Sequence, residues 1–158
     1  MDELNPYATP HSDTVPSTAS PAPNLWNPDA AGAWSLWFTP VFGSILLLKN
    51  WQAIGRDDKV KAARNWLIAS IVILIVSIVM DVLAIRVMDV LTFDAGTIIF
   101  IYLIIWYFAW QRPQTKYVKE QWGKDYPRKS WKKPILIELG CWGGFIGGFI
   151  ILSVLYFL

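Results

Sequence analysis

Side chains able to do chemistry are few in this chain and far apart. There is one histidine, His11, and one cysteine, Cys141. They allow neither an internal disulfide nor a cluster with zinc, haem or iron–sulfur spacing. The nucleophile elbow GxSxG, the metalloprotease HExxH and the phosphate-cradling P-loop are all missing from the sequence. Two carboxylates, Asp81 and Glu138, fall within apolar runs, and a carboxylate deep in a membrane is a candidate proton carrier. Neither is expected to lie deep. Asp81 falls near the outer boundary of its run, where it is expected to form an interfacial ion pair with Arg86. Glu138 follows Pro134 closely and stands within reach of Lys132 or Lys133 near the inner boundary. Cys141, set in an apolar run without a cationic neighbour, is expected to be an inert thiol. The residues therefore give no support for an enzyme, a metal or a cofactor, and none is expected.

Two patterns point to binding instead. Residues 111–134 carry eight basic side chains, Arg112, Lys116, Lys119, Lys124, Arg128, Lys129, Lys132 and Lys133, interleaved with Tyr117, Trp122, Tyr126 and Trp131. Basic residues alternating with aromatics can mark single-stranded nucleic-acid binding. Beside an apolar run the simpler reading is anionic-lipid contact through the seven lysines and arginines from Lys116 onward, worth about 1 kcal/mol per side chain, and no nucleic acid is expected. The second pattern is Gly140, Gly143, Gly144, Gly147 and Gly148, which form overlapping small-xxx-small pairs in the last apolar run. Lipid gives helices no hydrophobic reason to associate, so close backbone approach across such glycines supplies the packing. The partner of this face is another span of the chain or a second copy; the first is the default.

These groups have to be positioned by membrane helices. Trp66 to Ile85 is apolar apart from Ser70, Ser77 and Asp81, and twenty residues at 1.5 Å each make a helix of about 30 Å, the thickness of a bilayer core. The sequence as a whole, 158 residues and 54% hydrophobic, predicts an all-α integral membrane protein with four spans at about 30–48, 66–85, 92–110 and 135–158. The first is the least regular, since Pro40 and Gly43 can kink it or turn it back. A kinked span is favoured, with Trp34 and Trp37 at the headgroups, and three spans plus a re-entrant first segment is the alternative. Gly55 reads as a helix stop and Asp57 or Asp58 as the next N-cap, with Asp57 and Lys61 spaced as a surface pair. Pro113 and Gly123 can bracket a short interfacial helix with Val118 and Trp122 on one face.

Ahead of the spans, residues 1–28 hold six prolines among small and polar residues and read as a disordered tail, with NPYATP at Asn5–Pro10 as a docking-ligand candidate whose default is no partner. Of fourteen lysines and arginines, thirteen fall in the 49–65 and 111–134 segments. The positive-inside rule makes these cytoplasmic, and with four spans it puts the tail, Asp89, Asp94 and the C-terminus outside.

The elements WNPDAA at Trp26–Ala31, WSLWFTPVFG at Trp34–Gly43 and NWQAIG at Asn50–Gly55, with NPYATP ahead of them, resemble a family of small uncharacterised inner-membrane proteins of Gram-negative bacteria. The resemblance covers about a quarter of the chain and implies compartment and topology only. The expected role is protein–protein binding within the bilayer, as an accessory or scaffold subunit or an immunity-type protein against a membrane-active toxin. A small oligomeric transporter or channel is the alternative. Expected partners are membrane lipids and a membrane protein or a second copy of this chain.

Overall fold

A computed structural model describes residues 21–87 and 95–157, without the side chains of 81–87, Ala95, Phe149, Leu152, Ser153 and 155–157. The Pro-rich tail over 1–20, with His11 and NPYATP, and the connection carrying Asp89 and Asp94 lie outside the described residues, as do the side chains of the expected Asp81–Arg86 pair. The described chain is all-helical, with one isolated parallel bridge between Leu25 and Arg128.

Helix α1 spans Pro28–Trp37 and α2 spans Pro40–Ile54. The segment expected as one kinked helix is instead an antiparallel hairpin. Its open end is fixed by Asn50, which exchanges hydrogen bonds of 3.0 and 2.8 Å with the backbone of Trp26. At its closed end Gly43 lies against Ser35, where a Cβ would collide with the serine oxygen and come within 2.7 Å of the Trp106 ring. Thr39 explains the reversal: it is extended at φ −163°, its hydroxyl accepts from the Phe42 N–H at 3.4 Å, and Pro40 opens the next helix at its first position. Proline disfavours helical geometry in the residue before it and is well suited to a first turn, so Thr-Pro starts a helix here rather than bending one. Trp34 and Trp37 consequently sit at the closed end of the hairpin.

Gly55 ends α2 in the left-handed region at φ 77°, and α3 follows over Asp57–Val87. Arg56 rather than Asp57 or Asp58 precedes its first turn, its backbone carbonyl accepting from the Lys59 and Val60 N–H groups, while the ion pair in this turn is Arg56 with Asp58 at 2.7 Å instead of Asp57 with Lys61. By length and composition the stretch Asp57–Met80 is able to cross a membrane.

Helix α4 spans Ala95–Trp106, runs through a π-helical turn at Tyr107–Gln111, and continues as α5 over Arg112–Trp122. The Arg112 N–H bonds to the Tyr107 carbonyl five residues back. Pro113 brings no N–H and a bulky ring, and the widened turn just before it accommodates both without breaking the rod. Residues 111–122, expected as part of a loop, thus extend a helix. Of the expected bracket only the Gly123 end is observed, at φ 66°; Pro113 lies within the continuous rod rather than opening a separate helix. Val118 is buried against Leu25 and Tyr126, and Trp122 packs beside them.

A buried polar chain ties α2, α3 and α4 together. The Trp106 indole donates to Ser44 Oγ at 2.9 Å, Ser44 donates to Ser70 at 2.9 Å, Ser70 lies 3.0 Å from the Tyr102 hydroxyl, and the Trp66 carbonyl is the acceptor within reach of both of these hydroxyls. In an apolar interior such links hold helices where area burial alone would not choose a register. Around them pack Phe42, Leu46, Leu47, Trp51, Leu103 and Trp110.

Helix α6, Lys132–Phe157, stands apart. Leu136, Ile137, Phe145, Ile146, Ile150 and Ile151 are all at least half exposed.

Candidate functional site

The basic end of the bundle is built by the segment before α1 and the turn after α5. The Leu25 N–H donates to the Pro127 carbonyl at 3.1 Å and the Lys129 N–H to the Leu25 carbonyl at 2.8 Å. The Trp26 indole donates to the Ser130 carbonyl at 3.2 Å, and its ring lies 4.3 Å from Lys129 Nζ and 5.9 Å from Lys49 Nζ. Cations over an indole face are held by the ring quadrupole. The chain therefore enters α1 beside the basic 111–134 segment.

Several of the basic residues expected at lipid are engaged in the fold. Lys119 pairs with Asp29 at 2.8 Å, joining α5 to the start of α1, and Lys116 approaches Glu120 at 3.7 Å. Arg128 donates to the Lys124 carbonyl at 3.2 Å and covers the Tyr126 ring at 5.5 Å. Lys132 and Lys133 open α6 and are exposed. Burial raises the Asp29 carboxyl, but hydrogen bonding from Lys119, with Thr115 and Gln111 assisting, outweighs it and holds the group below its ordinary range. Burial pushes the Tyr126 phenol up.

Among the described residues, the expected intramolecular packing of the glycines on α6 is not observed: a Cβ built at Gly140, Gly143, Gly144, Gly147 or Gly148 would meet none of their atoms within 4 Å. Cys141 is exposed rather than enclosed between helices. Glu138 makes no ion pair with Lys132 or Lys133 among the described residues, where the ion pairs are those of Arg56, Lys116 and Lys119.

Sequence reasoning passed over one feature of this end. Between α1 and the α4–α5 rod runs an apolar groove of about 530 Å³ that meets a wider basic one of about 1,100 Å³ at Asp29, Tyr107 and Phe108. The signal for it was the spacing of Phe108, Arg112 and Lys116, four apart, which puts them on one face once residues 95–122 are read as one helix. Among the described residues no three His, Cys, Asp or Glu side chains gather as a metal site. No protein-family model, curated protein or solved structure matches this chain.

Proposed function

We propose that the chain is a multi-pass inner-membrane protein of three spans, α3, α4 and α6, with the α1–α2 hairpin re-entering from the cytoplasmic side, and that it acts by binding another membrane protein within the bilayer. What carries this reading is α6: an apolar helix of 26 residues, about 39 Å long, whose glycine face is open while the other helices interlock. A helix of this kind gains its packing from a partner able to approach the glycine backbone closely. The hairpin supports the placement too, because irregular backbone at membrane depth is tolerated where protein covers it, and Gly43, in the first turn after the reversal, packs against Ser35 and Trp106. The role that fits is an accessory or scaffold subunit of an envelope complex. An immunity-type protein facing a membrane-active toxin would use the same surface.

The test is a photo-crosslinking residue in place of Phe145 in the full chain, irradiated in native membranes. A discrete adduct with a different polypeptide, lost in Gly144→Leu, is the expected result. A ladder of self-adducts accompanied by ion conductance in vesicles would replace this reading by the oligomeric channel, and adducts with lipid alone would overturn both.

A further inference from the structure

The two joined grooves differ in chemistry along their length. The lower one is lined by Gly32, Ala33 and Leu36 of α1 and by Phe100, Leu103 and Ile104 of α4. Its walls are apolar and half open, with Leu36, Phe100 and Ile104 exposed. The upper one carries Lys59, Arg112, Lys116 and Lys119 against Asp29 and Glu120, so cations outnumber carboxylates two to one. Arg112 has no carboxylate partner among the described ion pairs; its guanidinium rests 5.8 Å from the Phe108 ring, at the junction of the two grooves. Trp51 and Trp110 also wall the upper groove, and both are buried with indole N–H groups that find no acceptor among the described residues.

An occupant matching all of this has an oxygen-rich anionic end and an unbranched apolar end, joined at the level of Phe108. We infer that the groove between α1 and the α4–α5 rod is a binding site for one anionic phospholipid, its phosphate at Arg112 and Lys116 and one acyl chain lying along Ala33, Leu36 and Ile104. The charge ratio selects against a neutral or zwitterionic head. The apolar length below it selects against a free phosphate, which would leave that length empty. Arginine is suited to the phosphate because its planar fork donates two parallel hydrogen bonds, and long side chains four apart on one helix face converge on one oxygen cluster. The site differs from diffuse attraction of the whole basic segment to a charged surface, because it names two cations out of eight and a groove that a lipid tail must enter. It rests on the membrane placement proposed above but is independent of any partner on α6.

Native mass spectrometry of the full chain released from detergent, titrated with phosphatidylglycerol or phosphatidylethanolamine, tests it. One phosphatidylglycerol should bind per chain, at least tenfold more tightly than phosphatidylethanolamine. At about one basic contact's worth each, R112Q/K116Q should weaken phosphatidylglycerol by about tenfold to thirtyfold. K132Q/K133Q, which removes the same charge outside the groove, should change it less than threefold. Ala33→Phe, at an exposed position on the groove floor, should remove the lipid while leaving the thermal unfolding of the protein unchanged. Equal losses in the two double variants would mean a generic basic surface and overturn the site. Full competition by millimolar glycerol phosphate, or unaltered binding in A33F, would show that no acyl chain occupies the groove and overturn it as well.

Discussion

Asn50 holds the backbone of Trp26 by both of its polar groups, accepting from the N–H at 3.0 Å and donating to the carbonyl at 2.8 Å. One amide side chain thus does for an extended segment what a neighbouring strand would do. The same nitrogen lies 3.3 Å from Gln114 Oε1, and the Gln114 amide donates in turn to the Leu47 carbonyl at 2.9 Å. Asn50→Leu leaves several of these groups unpaired in a dry interior and should cost about 2–4 kcal/mol of stability. Thermal unfolding in detergent, followed by tryptophan fluorescence, checks it; an unchanged midpoint would show that the pairing is not formed.

Gly43 is the position in the hairpin where a methyl group has nowhere to go, with Ser35 on one side and the Trp106 ring 2.7 Å away on the other. Gly43→Ala should destabilise the fold by roughly 1–3 kcal/mol. Gly144→Ala, at an open site on α6, should stay within about 0.5 kcal/mol. Equal effects in the same unfolding assay would contradict the hairpin.

Ser44 and Ser70 belong to the polar chain, whereas Ser77 is buried with no hydrogen-bond partner for its hydroxyl among the described residues. Removing Ser44 strands the indole N–H of Trp106, which is 1% exposed. Ser44→Ala should therefore cost about 1–3 kcal/mol, and Ser77→Ala should be neutral or slightly stabilising. The contrast is read in one denaturation series, and a costly Ser77→Ala would refute it.

The Asp29–Lys119 link depends on pH in one direction. A carboxyl held below its ordinary value binds fewer protons folded than unfolded, so its contribution is complete above about pH 4 and disappears as pH falls through the folded value. Asp29→Asn should lower the melting temperature at pH 7, with the difference closing as the pH falls through the folded value. Both side chains are about half exposed, at 49% and 52%, which keeps the effect at pH 7 below about 1 kcal/mol. A difference that grew on acidification would have the wrong sign for this pair.

Under the proposed membrane placement, the position of Leu25 against Pro127 and Lys129 leads us to expect residue 24 and residue 124 in the same compartment. In a chain with Cys141→Ser, single cysteines at Asn24 and Lys124, both exposed, should resist a membrane-impermeant thiol reagent in spheroplasts and react after lysis. Labelling of Asn24→Cys alone in intact cells would restore an external N-terminal segment.

How much of this was legible in the sequence follows from which signals are local. The helix stops at Gly55 and Gly123 are set by left-handed backbone conformations that glycine accepts and other residues refuse, and both are legible where they occur. Thr39–Pro40 was local as well, yet hydropathy ran uninterrupted across it, and a capping threonine followed by a first-turn proline was taken for a kink. The direction of the hairpin, the engagement of Lys119 and Lys129, and the groove under Phe108 depend on contacts between residues far apart in the chain, such as Trp26 with Ser130. Composition could name those residues as basic or aromatic; it had no means to pair them.

The bridge between Leu25 and the turn after α5 also sets a schedule. Trp26 and Ser130 are separated by 104 positions, and at 5–20 residues per second about 5–20 s pass between the synthesis of one and of the other. During that interval the surface around Leu25 has no cover from the turn after α5. Assembly is thus a latch that closes late, after α3 and α4 have been delivered and just before α6 emerges, so that the last helix leaves the ribosome onto a body whose near end has been sealed.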